Sequence, residues 1–153
     1  MADNWQGFHE GEWPTDQLSE HFTWHEVACR HCGKLPKNLD AVRNTAQMME
    51  KVRHVLGGHP VFVFSWFRCP FYNAKVGGVA NSVHLSGRAV DHIVKPIGAR
   101  NEQKILKPFW KGNNLPVPEK FKALGKFLIG GFGKYATFTH LDNRQDGPST
   151  WNG

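Results

Sequence analysis

Residues Ser82 to Asp91 read Ser-Val-His-Leu-Ser-Gly-Arg-Ala-Val-Asp, and a second short run, His140-Leu141-Asp142, follows much later in the chain. His84 and Asp91 bracket Gly87, a residue free to take the backbone conformation of a tight turn, so a short loop feeding a strand can aim both side chains at one point. The run Arg88 to Val94 is apolar enough to be that strand. A hydrolytic metal site needs three protein ligands and a free position for water, and two histidines with one carboxylate form such a set. His84, Asp91 and His140 are therefore the candidate metal ligands. Spacing alone does not establish the metal, because nine histidines in 153 residues also generate accidental His/Asp pairs.

Further blocks lie on either side. Upstream stand His21-Phe22-Thr23-Trp24-His25-Glu26-Val27-Ala28-Cys29 with Cys32-Gly33, then Phe64-Ser65-Trp66-Phe67-Arg68-Cys69-Pro70 and its continuation from Tyr72 to Ser82. Downstream, Gly130-Gly131-Phe132-Gly133-Lys134-Tyr135 precedes Phe138-Thr139-His140-Leu141-Asp142-Asn143-Arg144. In this order, the blocks and the pattern Ser-x-His-x-x-Gly-x-Ala-x-Asp with a later His-x-Asp resemble the zinc D-alanyl-D-alanine carboxypeptidase family. Its relatives include phage L-alanyl-D-glutamate endopeptidases and vancomycin-resistance dipeptidases, and its fold is shared with the Hedgehog signalling domain. The likeness spans residues 20 to 145, and the opening and closing blocks are similar to a subgroup common in phages and prophages.

The resemblance implies one catalytic Zn2+ ion held by His84, Asp91 and His140, and bacterial peptidoglycan as the substrate. Zinc would polarise a peptide carbonyl and lower the pKa of water from about 15.7 to about 7. Arg68 matches a family arginine near the zinc, where a fixed cation binds a substrate carbonyl or oxyanion; the alternative is an arginine clamped to a carboxylate. Ser82 either orients substrate or hydrogen-bonds the ligand loop, and Tyr135 either reaches the cleft as a substrate-binding residue or is a core or rim aromatic. Many relatives carry a glutamate or aspartate three residues before the last histidine ligand, or a histidine two before it. Here those positions are Thr137 and Phe138, and neither accepts a proton. Asp142 is the nearest carboxylate, and residues two apart on a strand share a face. It is the candidate base or water-orienting group, with a supporting role toward a ligand histidine or Arg144 as the other reading. His92, next to Asp91 on the strand, should face away from the metal.

A chain of this length buries about two thirds of its unfolded surface and holds a core without staples. We expect an N-terminal arm over 1–20, packed on the body through Trp5, Phe8 and Trp13, and a catalytic domain over 21–153. A helix is predicted over Leu39 to Leu56, where Val42, Ala46, Met49 and Val52 recur at helical spacing before Gly57-Gly58. Pro60 to Ser65 reads as a buried strand delivering Arg68. A short helix over Pro70 to Val76, a mixed loop stretch from Pro96 to Pro118, an amphipathic helix over Glu119 to Leu128 and a final strand over Tyr135 to Leu141 complete the reading. The sum is a single compact α+β domain with a small, mainly antiparallel sheet flanked by helices, as the resemblance also implies.

The net charge is +6 and the isoelectric point about 9.4, which suits a polyanionic partner such as a phosphate-rich bacterial wall, or merely solubility. The first residues show no basic region followed by an apolar stretch, so no secretory signal peptide is expected. No segment approaches the length of a membrane span, so stable membrane insertion is not expected. The expected protein is a monomer made in a host cytoplasm that acts in the periplasm or on the wall. Cys29-Arg30-His31-Cys32 has the Cys-x-x-Cys spacing of zinc knuckles and redox motifs, and with Cys69 makes an odd count. A structural zinc completed by Cys69, His31 or His25, a disulfide, and free thiols all stay open.

The first functional reading is thus a zinc peptidase of peptidoglycan, an endolysin or a virion-associated enzyme of phage or prophage type. A zinc-bearing cell-wall binding module without turnover is the second, kept alive by Thr137 and Phe138. A metal-dependent nuclease fits the charge, but no phosphate-clamping motif is found, so nucleic acid is not an expected partner.

Overall fold

A computed structural model describes residues 7–124 and 128–153. Four α-helices, α1 (Trp24–Val27), α2 (Leu39–Val55), α3 (Pro70–Lys75) and α4 (Ala99–Leu106), pack with five strands, β1 (Phe62–Ser65), β2 (Ala89–Ile93), β3 (Gly131–Lys134), β4 (Thr139–Asp142) and β5 (Ser149–Asn152). The strands form one sheet in the order β1-β2-β4-β3-β5. All neighbours are antiparallel except β3 and β5. This is the α+β class expected.

Helix α2 is the longest helix among the described residues. Ala41, Val42, Thr45, Ala46, Met48, Met49, Val52 and Val55 are buried on one face. Asn38 caps its N-terminus, its side-chain oxygen accepting the Ala41 N–H at 3.0 Å, which satisfies a backbone donor that the first turn leaves without a partner. The stripe joins Leu35, Trp66, Val90, Phe132 and Leu141 in one core. The N-terminal segment lies on this body. Phe8 and Leu35 exchange backbone hydrogen bonds at 3.1 and 3.0 Å, Trp13 Nε1 donates to the Phe8 carbonyl at 3.0 Å, and Leu18 is buried. Trp5 lies outside the described residues.

Four expectations need correction. The strand read from Pro60 is half-buried, not buried: Phe62 and Phe64 face outward while Val63 and Ser65 face in, because β1 is an edge strand with one covered face. The stretch Pro96 to Pro118 contains α4, whose buried residues Glu102, Gln103 and Leu106 include two polar side chains, so no apolar period announced it. The final strand begins at Thr139, not Tyr135; residues 135–138 form the turn joining β3 to β4. A further strand, β5, lies beyond it. The segment expected to be a helix over Glu119 to Leu128 is 3-10 helix from Glu119 to Leu124, and residues 125–127 lie outside the described set.

Candidate metal centre

Sheet register builds the site. Asp91 of β2 is paired with Ser65 of β1 on one side and with His140 of β4 on the other. His140 is paired with Gly133 of β3, and Gly133 with Trp151 of β5. Directly paired residues point to the same face of a sheet, so Ser65, Asp91, His140, Gly133 and Trp151 form one row across all five strands. His84 reaches the row from outside the sheet, on a 3-10 turn over Val83–Ser86. The turn is closed by Gly87 at φ 74°, and a Cβ there would stand 2.9 Å from both Pro36 and Val42. Only glycine fits that backbone. The Ser82 hydroxyl opens the same turn, accepting the His84 N–H at 3.2 Å.

The three side chains converge. His84, Asp91 and His140 offer ligand atoms that all lie within 4.8 Å of one another, and all three residues are buried. Asp91 Oδ1 is 2.8 Å from His140 Nδ1 and its Oδ2 is 3.2 Å from His84 Nε2. Each ring is held from behind. His84 Nδ1 lies 2.6 Å from the Trp66 carbonyl oxygen, which can only accept, so that nitrogen carries the hydrogen and Nε2 presents its lone pair to the centre. His140 Nε2 lies 2.8 Å from Asp142 Oδ2, which leaves Nδ1 as the inward atom. Fixing the outer nitrogen of a ligating histidine in this way sets its tautomer and angle. Two nitrogens, one carboxylate and both outer nitrogens engaged are a donor set that fits zinc.

The charges are arranged to match. Burial pushes the Asp91 carboxyl up, but hydrogen bonds from His140 and His84 outweigh it and hold Asp91 well below the usual carboxylate range. Desolvation is the largest influence on His84 and lowers it. It acts on His140 too, yet the carboxylates of Asp142 and Asp91 outweigh it and raise that imidazole. Asp142 is fully buried. Burial raises it, while Arg144 and His140 bring it down to about 2. Arg144 grips it with Nε on Oδ1 at 2.9 Å and Nη2 on Oδ2 at 2.7 Å.

The centre opens into a cleft of about 540 Å³ lined by Arg68, the Val76–Val79 loop, Ser82, Tyr135, Phe138, Arg144, Ser149 and Trp151, together with the three ligand residues. Arg68 places Nη2 3.3 Å from Asp91 Oδ2 and Nη1 3.4 Å from Asn73 Oδ1. Asn73 is buried and also donates to the Val79 carbonyl at 2.8 Å, so one amide steadies both the arginine and the glycine loop. Tyr135 stacks on Phe138 with ring centroids 4.2 Å apart, and its hydroxyl accepts from Trp151 Nε1 at 2.9 Å. Helix α4 holds this aromatic wall: Gln103 Nε2 donates to the carbonyls of Tyr135 and Phe138 at 2.9 and 3.3 Å.

A profile of the family described as Peptidase M15 matches residues 20–142. The chain belongs to the M15 peptidase family. It is a zinc metallopeptidase of the D-Ala-D-Ala carboxypeptidase-like group, with His84, Asp91 and His140 as the candidate ligand group. No curated protein matches the chain.

The structure of this M15 peptidase brings Arg68, Ser82, Tyr135 and Asp142 to the same centre as the three candidate ligands. Arg68, Ser82 and Tyr135 line the cleft, and Asp142 lies behind His140. His92 points to the opposite face, fully buried against Glu102 of α4. Arg144, Trp151 and Asn73 were not singled out as cleft residues. Trp151 carries no sequence signal, since β5 is short and pairs only by a parallel edge. Arg144 offered one, standing two residues after Asp142, where a carboxylate can grip it.

Proposed function

We propose that this zinc peptidase cleaves peptide bonds in the stem peptides or cross-links of bacterial peptidoglycan, as an endolysin of phage or prophage type. M15 membership gives the substrate class. The observation that carries the reading is the buried His84–Asp91–His140 group opening into a cleft with two arginines and an aromatic wall. Stem peptides are extended and carry free carboxylates, which Arg68 and Arg144 suit, and Tyr135 and Trp151 supply flat surface for the peptide backbone. The net charge of +6 favours accumulation on an anionic wall. The enzyme is made in the host cytoplasm and acts at the wall.

Zinc held by the three ligands would polarise the scissile carbonyl and acidify water beside it. Arg68, next to Asp91 at the cleft edge, binds the carbonyl oxygen as negative charge develops on it. Tyr135 and Ser82 bound the substrate on either side. Among the described residues, Asp91 is the only carboxylate lining the cleft. Asp142 therefore serves through its neighbours: it holds the Nε2–H of His140 and the Arg144 guanidinium, and is a positioning residue in place of the base expected of it.

The test is digestion of purified peptidoglycan by zinc-loaded protein, with products identified by mass spectrometry. Cleaved stem peptides or cross-links that disappear with His84→Ala are the expected result. Intact peptidoglycan with a fully zinc-loaded enzyme would overturn the substrate class.

A further inference from the structure

One residue beyond Arg68, Cys69 meets Cys29 and Cys32. The three sulfur atoms lie within 4.8 Å of one another, and the group shares no residue with the catalytic centre. Cys29 and Cys69 are buried and Cys32 is half-buried. The loop from Cys29 to Lys34 doubles back on itself, with the Cys29 N–H donating to the Lys34 carbonyl at 3.0 Å and the Gly33 N–H to the Cys29 carbonyl at 2.9 Å. Gly33 permits this at φ 71°. The result aims Cys29 and Cys32 at the same point as Cys69.

Backbone donors surround the sulfurs. The Cys69 N–H points at Cys29 Sγ from 3.4 Å, the N–H groups of Cys32 and His31 point at the same atom, and the Tyr72 N–H points at Cys69 Sγ from 3.4 Å. A neutral thiol is a weak acceptor, whereas a thiolate draws several N–H groups. A buried group of thiolates in turn needs a cation, and soft thiolates select zinc among the common divalent ions. A disulfide would use two of the sulfurs and leave the third inside the same ring of donors without a partner.

We propose that Cys29, Cys32 and Cys69 bind a second, structural Zn2+ ion, each losing its thiol proton to solvent as the metal–sulfur bond forms. Cys32 also lines a cavity of about 580 Å³ with His9, His31 and Lys34, from which a histidine nitrogen or water would supply a fourth ligand. The ion ties the 29–34 loop to the joint between Arg68 and α3. It therefore holds the cleft arginine's backbone from behind, and its role is structural, independent of the peptidase chemistry.

Zinc content of the full chain, purified under reducing conditions, tests this together with the spectrum of the cobalt-substituted protein. Two zinc ions per chain are expected in the wild type, one in His84→Ala and one in Cys32→Ser. Cobalt-loaded His84→Ala, with all cysteines intact, should keep the intense near-ultraviolet thiolate-to-cobalt band, so the test does not depend on a cysteine variant folding. One zinc in the wild type with none in His84→Ala would overturn the proposal. So would absence of that band, or a disulfide among the three cysteines found by alkylation and mass measurement of the same protein.

Discussion

Gly133 lies directly beneath the indole of Trp151: a Cβ on that glycine would stand 2.7 Å from the ring. The bare backbone of β3 is what lets the indole reach His140, with 4.9 Å between ring centroids and the rings tilted by 54°. Gly133→Ala should displace Trp151 and break its hydrogen bond to the Tyr135 hydroxyl. Overpacking of this kind costs about 1–3 kcal/mol, measurable by urea unfolding. Activity on peptidoglycan should fall while zinc content stays unchanged, and a variant of wild-type activity would show that this wall does not touch substrate.

Asp142 can be tested as base against positioning residue. Asp142→Asn keeps the shape but removes the charge that orients His140 and Arg144. Losing such a supporting carboxylate lowers metal affinity by about 10–100-fold, to be measured by chelator competition. A pure general base would leave zinc affinity untouched and remove a limb of the pH–rate profile. The geometry predicts loss of affinity, with partial rescue of activity by excess zinc.

Glu50 pins the N-terminal segment to α2. The Ser19 hydroxyl and the His21 N–H donate to Oε2 at 2.6 Å each, and His21 Nδ1 stands 2.7 Å from Oε1. Burial raises this carboxyl, but the donors from Ser19 and His21 outweigh it and hold it below its ordinary value. A folded-state pKa below the unfolded one stabilises the fold fully above the unfolded value of about 4.3 and loses that contribution as pH falls through the folded value. Glu50→Gln should cost about 1 kcal/mol at neutral pH and flatten the acid side of the stability curve, measured by thermal unfolding across pH. An unchanged acid limb would show that the contact contributes nothing.

On the back of β2, His92 Nε2 and Glu102 Oε2 form a hydrogen bond fully shielded from solvent, and Glu102 Oε1 has no hydrogen-bond partner among the described residues. Leaving a buried hydrogen-bonding group without its partner costs about 1–3 kcal/mol. Glu102→Ala should therefore lower the melting temperature steeply. It should also loosen the 135–138 turn, because Gln103 on the same helix carries that turn's carbonyls. A small stability change would show that the contact contributes little to the fold.

Within the candidate ligand group, His84 and Asp91 could be read in the sequence because they depend on a local rule, whereas His140 comes from a distant strand. A glycine turn sets His84 against Asp91, and strand alternation put Asp142 on the face of His140, where the two side chains do meet. What resisted reading was governed by partners distant in sequence. Helix α4 buries Glu102 and Gln103, which meet His92 of β2 and the 135–138 turn, so its inward face looked like surface. Trp151 has meaning only once β5 lies along β3. The burial of Asp142 could not be inferred from its spacing, since both readings of its role place it on the same face; what the spacing leaves out is the grip of Arg144.

The row Ser65, Asp91, His140, Gly133 and Trp151 draws one residue from each of five strands, and none of them is next to another in the chain. The hydrolytic centre is therefore among the last things the folding chain can complete, since pairings of such long sequence separation are slow to form. Zinc capture and the final docking of the sheet are then a single thermodynamic event, and free zinc should set the enzyme's lifetime against unfolding as well as its activity.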